Sequence, residues 1–405
     1  MADGTKKLLI INSVCGTGST GRICADIARS YESDGYDVKI AYGRSANVPD
    51  DCRRYAVRIG TTAEVYLHIL YTRLTDRHGL ASRRATHAFL KWAEEYDPDI
   101  LWLHNVHGYY INYELLFNWI KKRPQMQVRW TLHDCWTFTG HCAHYMYAKC
   151  DRWQASSDEG SYAGGHANCG NCPQLRQYPA SWFTDNSVRN YIRKKNSFTG
   201  VNNMTLITPS EWLAGELKKS FLSCYPVEVV RNTIDTAIFR PTPSDIRGKY
   251  GISDDEKMIL AVAGVWTERK GLGDILKLSG ELNKMADNDP ERNGKQPEYT
   301  YRIVIVGLTA KQAAGIRGDH PDIICIEHTE STTELAQLYT AADVFINPTY
   351  EDNYPTVNLE AEACGTPVIS YDTGGCRETL HRPDSCVIPQ DISLVSGIIT
   401  KLLQP

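Results

Sequence analysis

Three observations predict an α/β protein of two doubly wound, Rossmann-like domains facing each other across a cleft. Short, wholly apolar runs alternate with helical patterns, as in a parallel sheet covered on both faces. The alternation pauses around residues 232–245, where Pro241 and Pro243 interrupt it, and then restarts. At 405 residues the chain is also too long for one ordinary core.

The first series opens with KLLIINSV as a strand, a helix over 21–33 and a second strand, YDVKIAYG. Residues 62–95 read as mostly helical, with long basic side chains. DILWLHNV, VRWTLHDC, MTLITPS and VEVVRNTI supply further strands. The second series runs KMILAVAGV, YRIVIVGL, DIICIEHT, DVFINPTY and TPVISYDTG, with helices between. This places an N-terminal domain at 1–236, with a cysteine-rich insert at 140–180. A C-terminal domain follows at 237–405, its last helix returning to the N-terminal domain. Ligands of such sheets gather at the carboxyl ends of the strands.

Composition narrows the functions. A net charge of −4 argues against bulk nucleic-acid or membrane binding. No apolar run reaches roughly 18 residues, so no membrane-spanning helix is expected. The start, MADGTKKLLIINSVC, lacks a signal-peptide layout, which predicts a cytoplasmic protein. Thirteen cysteines, an odd number, fit reduced thiols plus a metal site better than a disulfide framework.

Directly after the first strand, CGTGSTG places Gly16, Gly18 and Gly21 as G-x-G-x-x-G. A dinucleotide site also needs an acid at the end of the second strand. Tyr42 and Arg44 stand there instead, and Asp37 sits at the wrong end. The glycines then read as close backbone approach to a ligand, such as a phosphate at a helix N-terminus. A tight turn without a ligand is the alternative.

In the second series, WTERKGLGDIL sets Arg269 and Lys270 at a helix opening that Gly271 allows. Paired cations beside helix N–H groups suit a diphosphate. After another strand comes EDNYPTVNLEAEACGTPVI, with Asp352 in a loop and Glu360 eight residues on, in the next helix. Carboxylates so placed can accept paired sugar hydroxyls. In RWTLHDCW, His133 and Asp134 end a strand, where a histidine is either a hydrogen-bonded core residue or a catalyst. The acids of DPD, Asp97 and Asp99, precede a strand and read as a solvated turn. Cys142, Cys150, Cys169 and Cys172 combine C-x7-C with C-x-x-C, spacings that can close a tetrahedral structural zinc site. His141, His144 and His166 are alternative ligands, and free buried thiols or two disulfides are the competing readings.

Together these stretches resemble family 4 glycosyltransferases of the GT-B fold, over nearly the whole chain. Asp352 and Glu360 match the two ends of the family's E-x7-E motif, with Glu351 next door as the other acid able to touch the sugar. EAEACGTPVI, ERKG and the interdomain stretch VVRNTIDTAIFRP match as well. STGRI, YTRLTDRHGLASRRATHAFLKW, LHNVHGYYINYELLF and TLHDCWTFTGHC resemble the subgroup that builds capsular, colanic-acid-type and other surface polysaccharides.

The resemblance implies a retaining transfer of a hexose from a UDP- or GDP-sugar to a saccharide or undecaprenyl-pyrophosphate-linked acceptor. It implies donor contacts at Gly16, Gly18, Arg269, Lys270, Asp352, Asn353 and Glu360. His133, Arg269, Lys270 and Asp352 are the implied catalytic group, with His133 facing the donor sugar. No catalytic metal is implied. The subgroup's similar cysteine-bearing insert favours a structural zinc. No nucleic-acid partner is expected. Arg73, Arg77, Arg83, Arg84 and Lys91 suggest peripheral contact with the inner membrane surface, against the plainer reading of a charged outer helix face. A sugar-nucleotide 2-epimerase of the same fold and an NAD(P)-dependent oxidoreductase are the alternative activities.

Overall fold

Both series of apolar runs form parallel sheets, one in each of two units. The computed structural model describes residues 4–44, 47–154, 169–287 and 300–402, with backbone alone for 283–287. The first unit ends at Arg231 and the second begins at Asn232, slightly before the expected boundary of 236/237. Ile234 falls between the two boundaries and packs against a core of the second unit.

The first unit runs β1 (Lys7–Ile11), α1 (Gly18–Ser33), β2 (Asp37–Tyr42), β3 (Ala56–Arg58), α2 (Thr62–Thr75), α3 (Arg83–Tyr96) and β4 (Ile100–Leu103). It continues with α4 (Tyr113–Lys121), β5 (Gln127–Thr131), α5 (Ser187–Phe198), β6 (Met204–Thr208), α6 (Glu211–Lys218) and β7 (Val227–Val229). Among the described residues the sheet has seven strands in the order β3-β2-β1-β4-β5-β6-β7. Every pairing is parallel. Central strands such as Ile100–Leu103 are buried along their whole length, which is why their sequences are continuous apolar runs rather than alternating ones. α3 presents one apolar face, burying Ala85, Phe89, Leu90 and Ala93. α2 starts on a capping box in which Thr61 and Glu64 exchange bonds.

The second unit repeats the scheme with α7 (Ile246–Lys249), β8 (Glu256–Val262), α8 (Leu272–Asp287), β9 (Thr300–Val306), α9 (Ala310–Asp319) and β10 (Ile324–Ile326). It closes with α10 (Thr332–Ala341), β11 (Val344–Asn347), α11 (Thr356–Ala363), β12 (Val368–Tyr371), β13 (Cys386–Ile388) and α12 (Ser393–Leu402). Its sheet has six strands, again all parallel, in the order β10-β9-β8-β11-β12-β13. α12 was expected to return to the N-terminal domain. Its Val395 and Ile399 join Leu278 and Leu282 of α8 in the second unit's core.

Each sheet reverses its winding once, between β1 and β4 in the first unit and between β8 and β11 in the second. Doubly wound sheets open a crevice at such a point, outside the carboxyl ends of the strands. The predicted site residues follow those strands, apart from the cysteine insert. Tight backbone approach frames the second crevice: Gly307 has φ +93°, and a Cβ there would lie 1.7 Å from the Ala263 carbonyl oxygen. Gly307→Ala is therefore expected to cost about 2 kcal/mol or more in urea unfolding. An unchanged midpoint would show that β9 can move away from the chain after β8.

Candidate functional site

In the second unit the carboxyl ends of β8 and β11 emerge side by side, since Ile259 pairs with Val344 and Leu260 with Phe345. The chain after β8 makes one short turn, Glu268–Lys270, before α8. Gly271 closes that turn at φ +76°, where a Cβ would come within 2.1 Å of the Pro348 carbonyl oxygen. Only glycine permits this approach. The Arg269 carbonyl then accepts from the Tyr350 N–H at 2.8 Å and from Thr349 Oγ1 at 3.3 Å. In return, Arg269 Nη1 donates to the Glu351 carbonyl at 3.2 Å. Lys270 Nζ forms an ion pair with Asp352 Oδ2, with both side chains about one-fifth exposed. Tyr350 and Tyr371 both donate their hydroxyls to Asp274 Oδ2, at 2.6 and 2.8 Å, which anchors the loop to the first turn of α8.

The structure thus brings together Arg269, Lys270, Glu351 and Asp352. Glu351 is enclosed, only 2 % exposed, and Asn353 is similarly buried. Glu360 lies along α11, where it accepts from the hydroxyl of buried Tyr339 at 3.1 Å. Two cations and a carboxylate at the mouth of a helix can hold a phosphorylated ligand and hydroxyl groups beside it.

In the first unit the glycine loop divides its duties. A Cβ on Gly16 would meet Cys52 Sγ at 2.8 Å and Pro49 Cδ at 2.9 Å, so packing within the unit already accounts for that glycine. Gly18, with φ +64° and no atom within 4 Å of a Cβ, leaves the opening of α1 clear. Asn12 ties the neighbouring strand ends together: its Oδ1 accepts from the Asn105 N–H at 3.3 Å and its Nδ2 donates to the Val14 carbonyl at 2.9 Å.

His133 has a partner that sequence reasoning missed. β4 and β5 pair in register, Leu103 beside Trp130. Both chains then continue into a histidine, so His104 and His133 stack with Nδ1 and Nε2 only 3.0 Å apart. The available signal was the repetition of Leu-His at the ends of two adjacent strands. Loss of water lowers the basicity of both rings. It pushes His133 down to about 4 against the opposing pull of Asp134, and His104 well below the ordinary histidine value. At neutral pH a proton on one ring nitrogen bridges to the other ring. Asp134 Oδ2 lies 3.0 Å from His107 Nε2. Burial opposes the Asp134 charge, but His107 more than offsets it and holds the carboxyl well below its usual range.

The four predicted cysteines also converge. Cys142, Cys150, Cys169 and Cys172 line one cavity of about 10 Å³, together with His141. All four are free thiols. Cys142 hydrogen-bonds to Cys172, which outweighs burial and brings the Cys172 thiol down to about 7 while Cys142 is pushed up. As they are arranged, the described residues include no ready-made cage of three or more metal ligands. His166 and the insert residues 155–168 lie outside the described residues. His144 lends its backbone carbonyl to Gln174 Nε2 at 2.8 Å. Asp99 behaves as the expected turn acid, accepting from the Lys7 N–H at 2.7 Å. Arg83, Arg84 and Lys91 are exposed, and Arg73 and Arg77 are half-buried.

The buried histidines make stability depend on pH. Burial pushes His68 to about 3 and His133 to about 4, and drives His78 and His104 down as well. The unfolded chain protonates its histidines near pH 6.5. Stability is then fully present above that value and is lost as pH falls from about 6.5 towards 4, because the unfolded state binds more protons. His141 acts in the opposite sense: its burial penalty is exceeded by Asp76, so its value rises, but it stands against four depressed rings. Unfolding free energy is expected to drop by about 2 kcal/mol or more between pH 7.5 and 5 in urea titrations. Equal midpoints would mean that these rings are hydrated in solution.

Residues 256–404 match the family model described as glycosyl transferases group 1. The putative colanic acid biosynthesis glycosyl transferase WcaC of Escherichia coli K12 is 23 % identical over 310 residues, covering 73 % of this chain and 65 % of that protein. The D-inositol 3-phosphate glycosyltransferase of Thermobispora bispora is 26 % identical over 174 residues, covering 40 % of this chain and 38 % of that protein. The match therefore spans less than half the length of that relative. Among solved structures, sucrose-phosphate synthase from Thermosynechococcus elongatus aligns with a TM-score of 0.65 at 15 % identity, over 98 % of this chain and 90 % of that one. Anabaena Alr3699/HepE in complex with UDP and glucose aligns with a TM-score of 0.59 at 14 % identity, over the same shares. These structures establish the fold as GT-B, two doubly wound units in one chain. Within it, the match to glycosyl transferases group 1 covers residues 256–404, in the second unit.

Proposed function

We propose that the protein is a retaining glycosyltransferase that moves a hexose from a nucleotide-diphosphate sugar to a saccharide acceptor in surface-polysaccharide assembly. One observation carries the reading: in a domain of this family, the turn after β8 and the loop after β11 set Arg269, Lys270 and Asp352 in one place. A sugar diphosphate suits that group. Its phosphate oxygens match the two cations and the N–H groups opening α8, and its hydroxyls match the acid. The UDP and glucose of the HepE complex support a UDP-sugar donor, with a GDP-sugar as the other nucleotide. The name of WcaC supports a surface-polysaccharide acceptor of the capsular or colanic-acid kind, either a free saccharide or one linked to undecaprenyl pyrophosphate.

In the proposed reaction, the bond from the sugar's anomeric carbon to the diphosphate oxygen breaks as the acceptor oxygen bonds from the same face. The acceptor's proton passes to the departing phosphate oxygen. Arg269 and Lys270 stabilise the charge that accumulates there. Without donor, Lys270 is committed to Asp352. Donor binding exchanges that carboxylate for phosphate oxygens, which releases Asp352 to accept from sugar hydroxyls, with Asn353 beside it. Glu360, oriented by Tyr339, takes the ribose hydroxyls. In the first unit, His133 is neutral and Gly18 leaves the α1 opening clear, with Gly16 shaping the loop; we assign His133 to the donor sugar and Gly18 to a phosphate. No catalytic metal enters this scheme.

The proposed setting is the cytoplasm, at the inner membrane surface. No described helix is long and apolar enough to cross a membrane. α2 nevertheless exposes Tyr66, Leu67, Leu70 and Leu74, and Phe183 is 79 % exposed. Trp182, also exposed, bonds through its N–H to the Arg73 carbonyl at 2.7 Å, which brings the two aromatic residues to the end of the α2 stripe. Apolar and aromatic side chains flanked by arginines suit an anionic lipid surface.

Lys270→Ala is expected to lower the transfer rate at least about 100-fold with the circular dichroism spectrum unchanged. An active variant would remove Lys270 from the mechanism. In a thermal-shift panel of UDP, GDP, ADP, CMP and NAD(P), UDP or GDP alone should stabilise, by about 2.7 kcal/mol at 100 times Kd. Stabilisation by NAD(P) alone would favour the oxidoreductase. Turnover of the donor to its 2-epimer without acceptor would favour the epimerase. Sedimentation with anionic liposomes at low salt should weaken in Leu67→Ser/Phe183→Ser, and failure of the native protein to sediment would refute the membrane contact.

A further inference from the structure

We infer that Cys142, Cys150, Cys169 and Cys172 bind one zinc ion, forming a structural tetrathiolate centre inside the crossover from β5 to β6. The two halves of the set come from separate stretches, and the fold delivers them to the same cavity. Its volume of about 10 Å³ leaves room for one ion and no larger ligand.

The backbone is shaped around the second half of the set. Cys169, Gly170 and Asn171 run through the left-handed region, with φ of 65°, 98° and 46°. Such a run in two non-glycine residues is unfavourable unless it is held. Arg152 Nη1 holds it, donating to the Gly170 carbonyl at 2.7 Å and the Asn171 carbonyl at 2.9 Å. The Gly140 N–H donates to Cys169 Sγ at 3.1 Å, a contact that favours sulfur carrying negative charge. His141 lines the same cavity, and its Nε2 is buried without a hydrogen-bond partner among the described residues. Buried polar atoms rarely go unpartnered in a complete structure.

Charge supplies the strongest argument. Lys194 is 1 % exposed. Its ammonium donates to the carbonyls of Trp136 at 2.6 Å and Thr139 at 3.0 Å and sits over the Trp136 ring. Among the described residues no carboxylate lies within ion-pair distance of it; burial lowers its pKa to about 7, against the opposing pull of Cys169, Cys142, Asp134 and Asp76. A buried ammonium is costly, and further negative charge beside it offsets that cost and keeps it protonated. Four neutral thiols supply no such charge. Four thiolates around a divalent zinc carry two net negative charges and supply it. Closing the cage requires the sulfurs to move from their present arrangement, with zinc displacing the thiol protons to solvent.

Metal analysis of the full chain, purified without chelator, should find about one zinc per chain. Cys150→Ser and Cys172→Ser should each abolish it. Because either variant can also unfold, cobalt substitution of the unaltered protein supplies a second reading: thiolate-to-cobalt charge-transfer bands with strong tetrahedral d–d absorption. Zinc far below one per chain, with all four thiols alkylated in the native state, would overturn the proposal. A Cys142–Cys172 disulfide in peptide mapping would also overturn it. None of these readouts involves donor or acceptor, so the result is independent of the transferase reading.

Discussion

The pairing of β11 beside β8 is the constraint on which the candidate site depends. It brings two loops that are distant in sequence to one point, and it forces them so close that position 271 can carry no Cβ. Once there, the loops are joined mainly through the main chain. The Arg269 carbonyl serves as a shared acceptor, and the Asp274 carboxylate as a second one below it. The long side chains of Arg269 and Lys270 thus spring from a fixed base, and only their outer atoms need to adjust to a ligand. Preorganisation of this sort limits the reorganisation that a charged ligand would otherwise demand.

The first unit uses a different electrostatic strategy at its own strand ends. In place of exposed charges it has imidazoles withdrawn from water, stacked and hydrogen-bonded in a neutral state. The contrast follows from depth. The second unit's cations keep part of their surface in water and are held by a carboxylate and a carbonyl oxygen. His104 and its neighbours lie deeper, where protonation would strand a charge among rings and apolar strands.

The separate loops of the candidate site were legible in the sequence, but their contacts were not. Runs such as VFIN and KLLII declare buried parallel strands, whereas AVR and CVI are three-residue edge strands, too short to show a period. Arg269, Lys270 and Asp352 each sit in a recognisable local stretch. The ion pair between Lys270 and Asp352 joins positions 82 residues apart and exists only through strand order. His104 escaped for the same reason, because its importance comes from the register of β4 on β5. The contact of α12 with α8 likewise joins segments far apart in sequence and left no local signal. The four cysteines that spacing grouped line one cavity, but the buried lysine of α5 carried no local signal.

The placement of the cysteine insert also has a kinetic side. In an all-parallel sheet, β6 can join β5 only after the whole crossover from Thr131 to Met204 has closed, and the insert occupies much of that span. Loop closure of this length is slow, and it leaves the edge of β5 open to wrong partners while it lasts. Any clasp between the Cys142 and Cys172 regions shortens the effective loop before β6 arrives. Metal supply, or the redox state of the thiols, would then govern how quickly newly made chains complete the first sheet, and so how much of the protein escapes aggregation.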